Sequence, residues 1–330
     1  MNHSDYQIHL KLDICNRCGK SPVIERRYAS RSLCRDCFIE SVEKRIQNTI
    51  SKYKMWKQHN QVIVALSGGK DSIALLYNLN KIQKERNNLK PVNALIINEG
   101  IDGYRNKSVK RATNFCDDLQ INYKIISFKE RVGKSLDKII RIMKGKEKSR
   151  YSCNYCAILR RRLLNDGAKE LNGDILAMGH NLTDIAETYL MNVFYKRFYL
   201  IGNQYLFRER SETIEKFFVK KITPLMEIPE EEIFLYCNLK KLNYYRSHCP
   251  YRKEDPIVRK RVLHFMQGLK KQVPNIEFNL LDGFLELSKL FYENLNELND
   301  QKDYIFCSEC GYPSTNADLC TYCAYVEKFS

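Results

Sequence analysis

Cysteines at the two ends of the chain have the spacing of metal ligands. Eight of the thirteen cysteines form four pairs whose members are separated by two residues: Cys15 and Cys18, Cys34 and Cys37, Cys307 and Cys310, and Cys320 and Cys323. The resulting patterns, C-x2-C-x15-C-x2-C and C-x2-C-x9-C-x2-C, are typical of zinc sites. Four thiolates close the tetrahedral shell of Zn2+, so such a site folds a small module. The sequence therefore predicts two structural zinc ions, one near each end.

Three further cysteines are not needed for zinc. Cys153 and Cys156 form a fifth C-x2-C pair, and Cys249 stands alone much later in the chain. In an intracellular α/β protein, one such pair is a redox dithiol or a spare pair of zinc ligands. Because both zinc sets already contain four cysteines, these three are candidates for separate chemistry. Cys116 and Cys237 lie among apolar residues with helical spacing, and we expect both in the core.

A glycine loop is the candidate site for phosphate binding. It consists of Ser67, Gly68, Gly69, Lys70, Asp71 and Ser72. Glycines let the backbone approach phosphate oxygens, and a helix N-terminus offers unpaired N–H donors and a partial positive charge. The alternative is that the two glycines only permit a tight turn between a strand and a helix. The run lacks the Walker A spacing G-x4-G-K-[ST]. It resembles the PP-loop of the ATP pyrophosphatases, which implies that it binds ATP and releases pyrophosphate.

A second polar group is expected at the same place. Gly179, His180 and Asp184 follow a short apolar run at 175–178 that predicts a strand. The Asp184 carboxylate would orient a substrate base or help hold Mg2+ on the phosphates. The alternative is that Asp184 only favours the start of a helix. His180 is a candidate for the ATP site, and a plain turn residue is the other interpretation.

These groups need a scaffold that brings them together. The pattern predicts strands at 61–66, 92–97, 121–128 and 175–178, which alternate with helices at 71–79, 104–119 and 157–171. Short buried strands alternating with helices of this length predict an α/β fold with a doubly wound, Rossmann-like parallel sheet. In such a sheet, ligands bind beyond the carboxyl ends of the strands. Both polar groups follow strands, so we expect them at one edge.

The rest of the chain divides around this sheet. After Pro229 the pattern is mostly helical until the last cysteine set. We predict an N-terminal zinc finger at 1–45, a nucleotide-binding domain at 55–230, a helical extension with Cys249 at 231–300, and a C-terminal zinc ribbon at 301–330.

Composition restricts the partners and the compartment. The 330 residues carry a formal net charge of +16, which favours a polyanionic partner because each neutralised phosphate releases a counterion. No run reaches the roughly 18 apolar residues that a membrane span needs, and residues 1–20 lack the apolar segment of a signal peptide. We therefore expect a cytoplasmic protein with no membrane partner.

Positive charge concentrates around the central cysteines. Residues 124–162 contain thirteen Lys or Arg and three acidic residues. Arg160, Arg161 and Arg162 follow Cys156 by one helical turn. A charge run is often only a solvated face, but its place beside the cysteines favours contacts with an RNA backbone. Such contacts position the RNA and do not select a base.

The order of these features resembles one enzyme family. An N-terminal zinc knuckle, a PP-loop, a C-x2-C pair, a distant cysteine before Pro-Tyr and a C-terminal knuckle occur in this order in the tRNA 2-thiouridine synthetases of the TtuA and NcsA group. The cytidine thiolase TtcA is more distantly similar. Residues 179–184 resemble the Gly-His-Asn-Leu-Asp-Asp signature of the group. Thr183 replaces the first Asp, so only Asp184 is carried over.

The resemblance implies a chemistry. Cys153, Cys156 and Cys249 would hold a [4Fe–4S] cluster with one iron left open, while ATP adenylates the C2 carbonyl of a tRNA uridine. Sulfur would come from sulfide or from a ubiquitin-like carrier with a thiocarboxylate end, and the enzyme would be a homodimer. The ammonium of Lys70 would face the phosphates of ATP.

Other functions stay open at the level of sequence. One is a persulfide on Cys153 or Cys249 without a cluster. Another is a PP-loop enzyme that thiolates cytidine or attaches lysine, with structural cysteines. A zinc-ribbon protein that only binds RNA is the third. Iron, acid-labile sulfide and zinc contents distinguish them.

Overall fold

A five-stranded parallel sheet forms the centre of the computed structural model. The structure describes residues 14–86, 88–146, 152–206, 212–251, 257–299, 305–314 and 318–329. The strands in these residues are β1 (Ile24–Arg26), β2 (Arg31–Leu33), β3 (Val62–Ala65), β4 (Asn93–Asn98), β5 (Tyr123–Ser127), β6 (Ile175–Ala177), β7 (Lys220–Ile222), β8 (Ile305–Phe306) and β9 (Pro313–Ser314). The central sheet has the order β5-β4-β3-β6-β7, and β1–β2 and β8–β9 are antiparallel hairpins.

The helices cover both faces of the sheet. They are α1 (Arg35–Lys52), α2 (Lys70–Glu85), α3 (Arg105–Leu119), α4 (Phe128–Val132), α5 (Leu136–Lys146), α6 (Ser152–Glu170), α7 (Leu182–Phe194), α8 (Phe198–Gly202), α9 (Glu212–Glu215), α10 (Glu230–Leu239), α11 (Ile257–Gln272), α12 (Ile276–Asn299) and α13 (Thr321–Phe329). In the described part of the chain, no helix is both long and apolar enough to cross a bilayer.

Apolar strands explain why the sheet is buried on both sides. Residues 62–64 and 94–97 are at most 3% exposed, as expected for parallel strands covered by helices. One core joins β3 and β4 to α1, α2 and α10, and a second core on the opposite face contains α5, α6 and α13. The alternating α/β arrangement predicted from the sequence is confirmed.

The strand order creates a switch point at the centre of the sheet. From β3 the chain proceeds through β4 to β5, and then returns to place β6 on the other side of β3. Loops after β3 and β6 diverge at the carboxyl ends of the strands, which leaves a crevice between them. The Ser67–Ser72 loop and the Gly179–Asp184 segment both begin here, as predicted.

Sequence reasoning missed several elements. The strand β7 has the sequence Lys-Lys-Ile and only Ile222 is buried, so it gives no alternating or continuous apolar signal. The hairpin β1–β2 lies between the two cysteine pairs of the N-terminal set and was also not predicted. Helix α6 begins at Ser152, five residues before the predicted start, and therefore includes both central cysteines. The four-part domain division stays a prediction.

Candidate active site and metal centres

The phosphate loop has a backbone that only glycine fits at one position. Gly68 has φ +87, and a Cβ added to it would lie 2.4 Å from the carbonyl oxygen of Ser108. Gly69 is the N-cap of α2, so the following amides of the helix have no helical acceptor. Such amides, together with the helix dipole, bind anions. This local geometry fits the predicted phosphate site.

The two serines of the loop bond to each other. The hydroxyls of Ser67 and Ser72 lie 3.0 Å apart, and the backbone N–H of Ser67 donates to Ser72 Oγ at 3.2 Å. Ser72 Oγ also donates to the carbonyl of Gly69 at 3.0 Å. These bonds shape the turn, so the serines have a structural role besides any contact with a ligand.

Lys70 is paired with acidic side chains. Its Nζ donates to Asp71 Oδ2 at 3.0 Å and to Glu230 Oε1 at 2.7 Å. Burial acts to lower the pKa of Lys70, but the two carboxylates outweigh burial and raise it. The ammonium is therefore charged and held at the mouth of the loop, half-buried between α2 and α10.

Asp71 and Asp184 lie within electrostatic reach of each other. Burial raises the pKa of Asp71, the charge of Asp184 adds to the rise, and Lys70 opposes it. Asn181 connects the two, because its Nδ2 donates to Asp71 Oδ1 at 3.1 Å and its Oδ1 accepts from the N–H of Asp184 at 3.0 Å. Asp71 thus supplies a second carboxylate beside Asp184, although position 183 is a threonine.

Asp184 also performs the structural task considered for it. It stands three residues after the N-cap Asn181 of α7, and its carboxylate accepts the N–H of Asn181 at 3.1 Å, which completes a capping box. Gly179 permits the close approach, since a Cβ there would lie 3.1 Å from the N of Ser72. Burial lowers the pKa of the neighbouring His180, whose imidazole is therefore neutral.

The central cysteines converge on one place beside this crevice. Cys153 and Cys156 lie in the first turns of α6, and the charges of both Cys153 and Cys249 act on Cys156. Burial raises the pKa of the Cys156 thiol to about 12, and Arg160 partly opposes it. Cys156 and Cys249 pack against the same apolar core. The structure thus places Cys249, which is distant in sequence, close enough to Cys156 to act on it electrostatically, although the three sulfurs do not all lie within 4.8 Å of one another.

A buried ion pair connects the cysteines to the phosphate loop. Glu99 and Arg105 are 5% and 4% exposed and are paired at 2.5 Å. Arg105 Nη1 donates to the carbonyl of Ser67 at 2.7 Å, and Arg160 lies 3.8 Å from the other carboxylate oxygen of Glu99. Sequence reasoning missed Glu99, Arg105 and Asn181. Of these, only Asn181 had a signal, the N-x-x-D pattern of a capping box.

The three consecutive arginines have different surroundings. Arg162 pairs with Asp166 at 2.6 Å, donates to Cys310 Sγ at 3.4 Å, and stacks 3.6 Å from the ring centroid of Tyr312. The guanidinium of Arg162 therefore holds the C-terminal knuckle against α6, and its contact with RNA stays a prediction. Arg160 and Arg161 are exposed and remain candidates for RNA contact.

Both cysteine sets form compact groups of four thiols. The ligand atoms of Cys15, Cys18, Cys34 and Cys37 lie within 4.8 Å of one another, as do those of Cys307, Cys310, Cys320 and Cys323. Tetrahedral Zn–S bonds of about 2.3 Å place sulfurs about 3.8 Å apart. The distances Cys18–Cys34 and Cys310–Cys320 are 3.5 and 3.6 Å, so the donor sets fit zinc.

Backbone amides favour the thiolate form of the first cysteine in each group. The N–H of Cys34 is the main cause that lowers the pKa of Cys15 to about 6. Burial acts to raise the pKa of Cys307, but the N–H groups of Cys320 and Cys310 outweigh it and lower the pKa to about 6. In each group a glycine follows the second cysteine of a pair and makes a tight turn there. These are Gly19, with φ +74, and Gly311, with φ +65.

Comparison with known proteins gives matches over nearly the whole chain. A profile of the PP-loop domain matches residues 39–266, and the N-terminal LIM domain of 2-thiouridine synthetase TtuA matches residues 14–39. A probable sulfurtransferase from Methanocaldococcus jannaschii is 32% identical over 313 residues, which are 94% of this chain and 86% of that one. The tRNA 2-thiolation protein NcsA from Haloferax volcanii is 31% identical over 95% of this chain and 98% of its own length.

A solved structure has the same fold. The U34-tRNA thiolase NcsA from Methanococcus maripaludis, which contains a [4Fe–4S] cluster, superimposes with a TM-score of 0.77 at 30% identity. The superposition covers 95% of each chain. The likeness therefore extends over nearly the whole fold.

Proposed function

We propose that this chain, which belongs to the PP-loop family of tRNA 2-thiolation proteins, replaces the C2 carbonyl oxygen of a tRNA uridine with sulfur. ATP is consumed in the reaction and AMP and pyrophosphate are its products. The relatives are sulfurtransferases and thiolation proteins by name, and the solved relative is a tRNA thiolase with an iron–sulfur cluster.

One observation carries the proposal. The phosphate loop and the three-cysteine group are joined through Glu99, which pairs with Arg105 beneath Ser67 and with Arg160 beside Cys156. A base activated at the loop is therefore within the same crevice as the thiols. An enzyme that activates a carbonyl and then transfers sulfur to it needs this arrangement, because the activated base must not meet water first.

The first step uses the loop. The uridine O2 attacks the α-phosphorus of ATP, the bond to the β-phosphate oxygen breaks, and pyrophosphate leaves. The free amides at the start of α2 and the Lys70 ammonium stabilise the charge that develops on the phosphates. Lys70 must exchange at least one carboxylate partner for phosphate oxygens. The paired Asp71 and Asp184, whose oxygens are hard ligands, would hold Mg2+ on the phosphates.

The second step uses the cysteines. A sulfur nucleophile attacks C2, the C2–O bond breaks, and AMP leaves with the bonding electron pair. Cys153, Cys156 and Cys249 form a donor set that fits a [4Fe–4S] cluster, because thiolates are its usual ligands. When bound, the cluster supplies an open iron for sulfur. The buried Glu99–Arg105 pair fixes the start of α3 between the two halves of the site.

Further parts of the proposal concern the partners. The two sets of four thiols would hold zinc as structural ions, and Arg160 and Arg161 would contact the tRNA backbone. Sulfide or a ubiquitin-like thiocarboxylated carrier would donate sulfur. The family resemblance supports a homodimer and a cytoplasmic location.

The decisive experiment starts with protein purified without oxygen. We expect iron and acid-labile sulfide in addition to zinc, and ATP-dependent formation of 2-thiouridine when tRNA and sulfide are supplied. Mass spectrometry of digested tRNA measures the product, and mapping of the modified nucleotide gives its position. Zinc without iron, together with no thiolated nucleoside, would refute the proposal in favour of another PP-loop enzyme or an RNA-binding protein.

Replacing Lys70 tests the first step. Lys70→Ala removes the ammonium from the loop, and we expect thiolation to slow by about 100-fold, which corresponds to a loss of ~3 kcal/mol of transition-state stabilisation. Lys52→Ala is the matched control. It breaks an exposed ion pair, in which Lys52 Nζ lies 2.8 Å from a carboxylate oxygen of Glu227, and this pair is not part of the site. An unchanged rate for Lys70→Ala would mean that the loop is only a turn.

A further inference from the structure

A run of six exposed residues projects where α7 ends and α8 begins. It consists of Phe194, Tyr195, Lys196, Arg197, Phe198 and Tyr199, and we name it the aromatic ridge. All six are exposed, and the residues Phe194 and Tyr199 are 57% and 56% exposed. Single exposed aromatic residues are common on protein surfaces, but four in one run with two cations between them indicate a binding surface.

The ridge is an ordered platform. The N–H of Arg197 donates to the carbonyl of Asn192 at 2.8 Å, and that of Lys196 to Val193 at 3.0 Å. These two bonds are those of a Schellman motif, with Lys196 in the left-handed conformation at φ 53. Phe198 stacks on Phe291 of α12 with ring centroids 5.0 Å apart. The Schellman motif therefore fixes the backbone of the ridge, and the stacking on Phe291 holds the ring of Phe198.

Charge selects the kind of partner. Between Thr188 and Arg208 the sequence has no acidic residue. The Arg197 guanidinium lies 4.6 Å from the ring centroid of Tyr195, so ring and cation form one combined surface. On the adjoining α12, Glu293 is paired with Lys289. A second copy docked through the same face about a twofold axis would bring one cationic patch against another, which disfavours the ridge as a subunit interface.

We propose that the aromatic ridge binds unpaired nucleotides of the tRNA substrate, with bases stacked on Phe194 and Tyr199 and phosphates contacting Lys196 and Arg197. Aromatic side chains with interleaved cations are how proteins hold single-stranded nucleic acid, because every base has a face that stacks. The proposal rests on the proposed function for the identity of the RNA.

The position of the ridge suits a contact at a distance from the reacting base. Helix α7 begins at Leu182, directly after its N-cap Asn181, which bonds to Asp71 of the site, and it ends at Phe194. Its 13 residues span about 20 Å at 1.5 Å per residue. A tRNA loop whose uridine enters the crevice has neighbouring nucleotides within this distance. The ridge thus holds the substrate outside the catalytic centre.

The test measures tRNA affinity. Phe194→Ala and Tyr199→Ala should each weaken binding of tRNA by about tenfold, since one stacked base is lost in each variant. Lys196→Gly should reduce the slope of log affinity against log salt by about 1. Glycine suits the left-handed conformation at this position, so the variant should fold at least as well as the wild type. Thermal unfolding measures this.

A ring on another surface is the control for the two ring variants. Phe234→Ala removes an exposed ring of 49% exposure on α10 and should leave tRNA affinity unchanged. Wild-type affinity for tRNA in both ring variants would refute the role of the ridge and leave the proposed function standing. A wild-type protein that binds no tRNA would overturn the ridge together with the proposed function. Light scattering that shows a dimer in the wild type and a monomer in the ring variants would also overturn it, because the ridge would then be a subunit contact.

Discussion

Replacing Cys249 with serine is expected to abolish thiolation and to remove most of the iron, while both zinc ions remain. Serine is a poor ligand for an iron–sulfur cluster, whereas the two zinc sets have four cysteines of their own. We expect the thiolation rate to fall by at least about 1,000-fold, or ~4 kcal/mol. Iron, acid-labile sulfide and zinc contents and the amount of thiolated nucleoside are the measurements.

A buried cysteine elsewhere is the matched control. Cys116 is fully buried in the core between α3 and the sheet, where burial raises its pKa to about 12. Cys116→Ala therefore also removes one thiol but does not touch the site, and it should retain iron, zinc and activity. If Cys249→Ser lost zinc and kept iron, the assignment of the ligands would be wrong.

The other two central cysteines extend this prediction to the mechanism. In a three-ligand site, Cys153→Ala and Cys156→Ala lose as much activity as Cys249→Ser, and added sulfide does not restore it. A persulfide mechanism needs only the cysteine that carries the sulfur, so the variants of the other two cysteines would keep much of their rate. Binding of tRNA and ATP should persist in all three, because the phosphate loop is unchanged. A wild-type rate in any of them would refute the cluster.

The sequence predicted the parts of the site that local chemistry determines. Gly68 of the Ser67–Ser72 loop and the cysteine spacings have one dominant physical reason each: a backbone that excludes a Cβ, and a group of four thiols that fits a tetrahedral ion. Their placement followed from the carboxyl ends of β3 and β6, which alternating apolar strands and helices specify. The sequence alone therefore predicts that this loop and the Gly179–Asp184 segment meet at the carboxyl ends of β3 and β6.

The connections within the site depend on contacts between distant segments. Glu99 and Arg105 belong to no motif in the sequence, and only the packing of β4 and α3 against the loop turns them into a buried pair. Thr183 donates to Glu277 at 2.7 Å, and that carboxylate comes from a helix 94 residues later. Arg162 has the same sequence context as Arg160, but its position on α6 faces the C-terminal knuckle. No local pattern encodes such pairings.

Loss of a zinc ligand in the C-terminal set is expected to unfold the knuckle. Cys307→Ser should reduce the zinc content from two ions to one. In isolated zinc modules, the ion contributes on the order of 10 kcal/mol to folding, which exceeds what the short hairpin β8–β9 and α13 can replace. The amides of α13 should then exchange with solvent at rates close to those of an unfolded chain, as hydrogen-exchange mass spectrometry would measure.

The same variant should also weaken thiolation, because the knuckle supports the helix that carries the central cysteines. Tyr155, next to Cys156 on α6, packs edge-on against Tyr325 and Phe329 of α13 with ring centroids 5.3 and 5.9 Å apart. When α13 leaves, these contacts are lost and the start of α6 becomes less well fixed, so iron content should fall as well. Ser308→Ala is the matched control, since Ser308 lies in the same knuckle and supplies no thiolate. Two zinc ions and a protected α13 in Cys307→Ser would show that this set of thiols holds no structural ion.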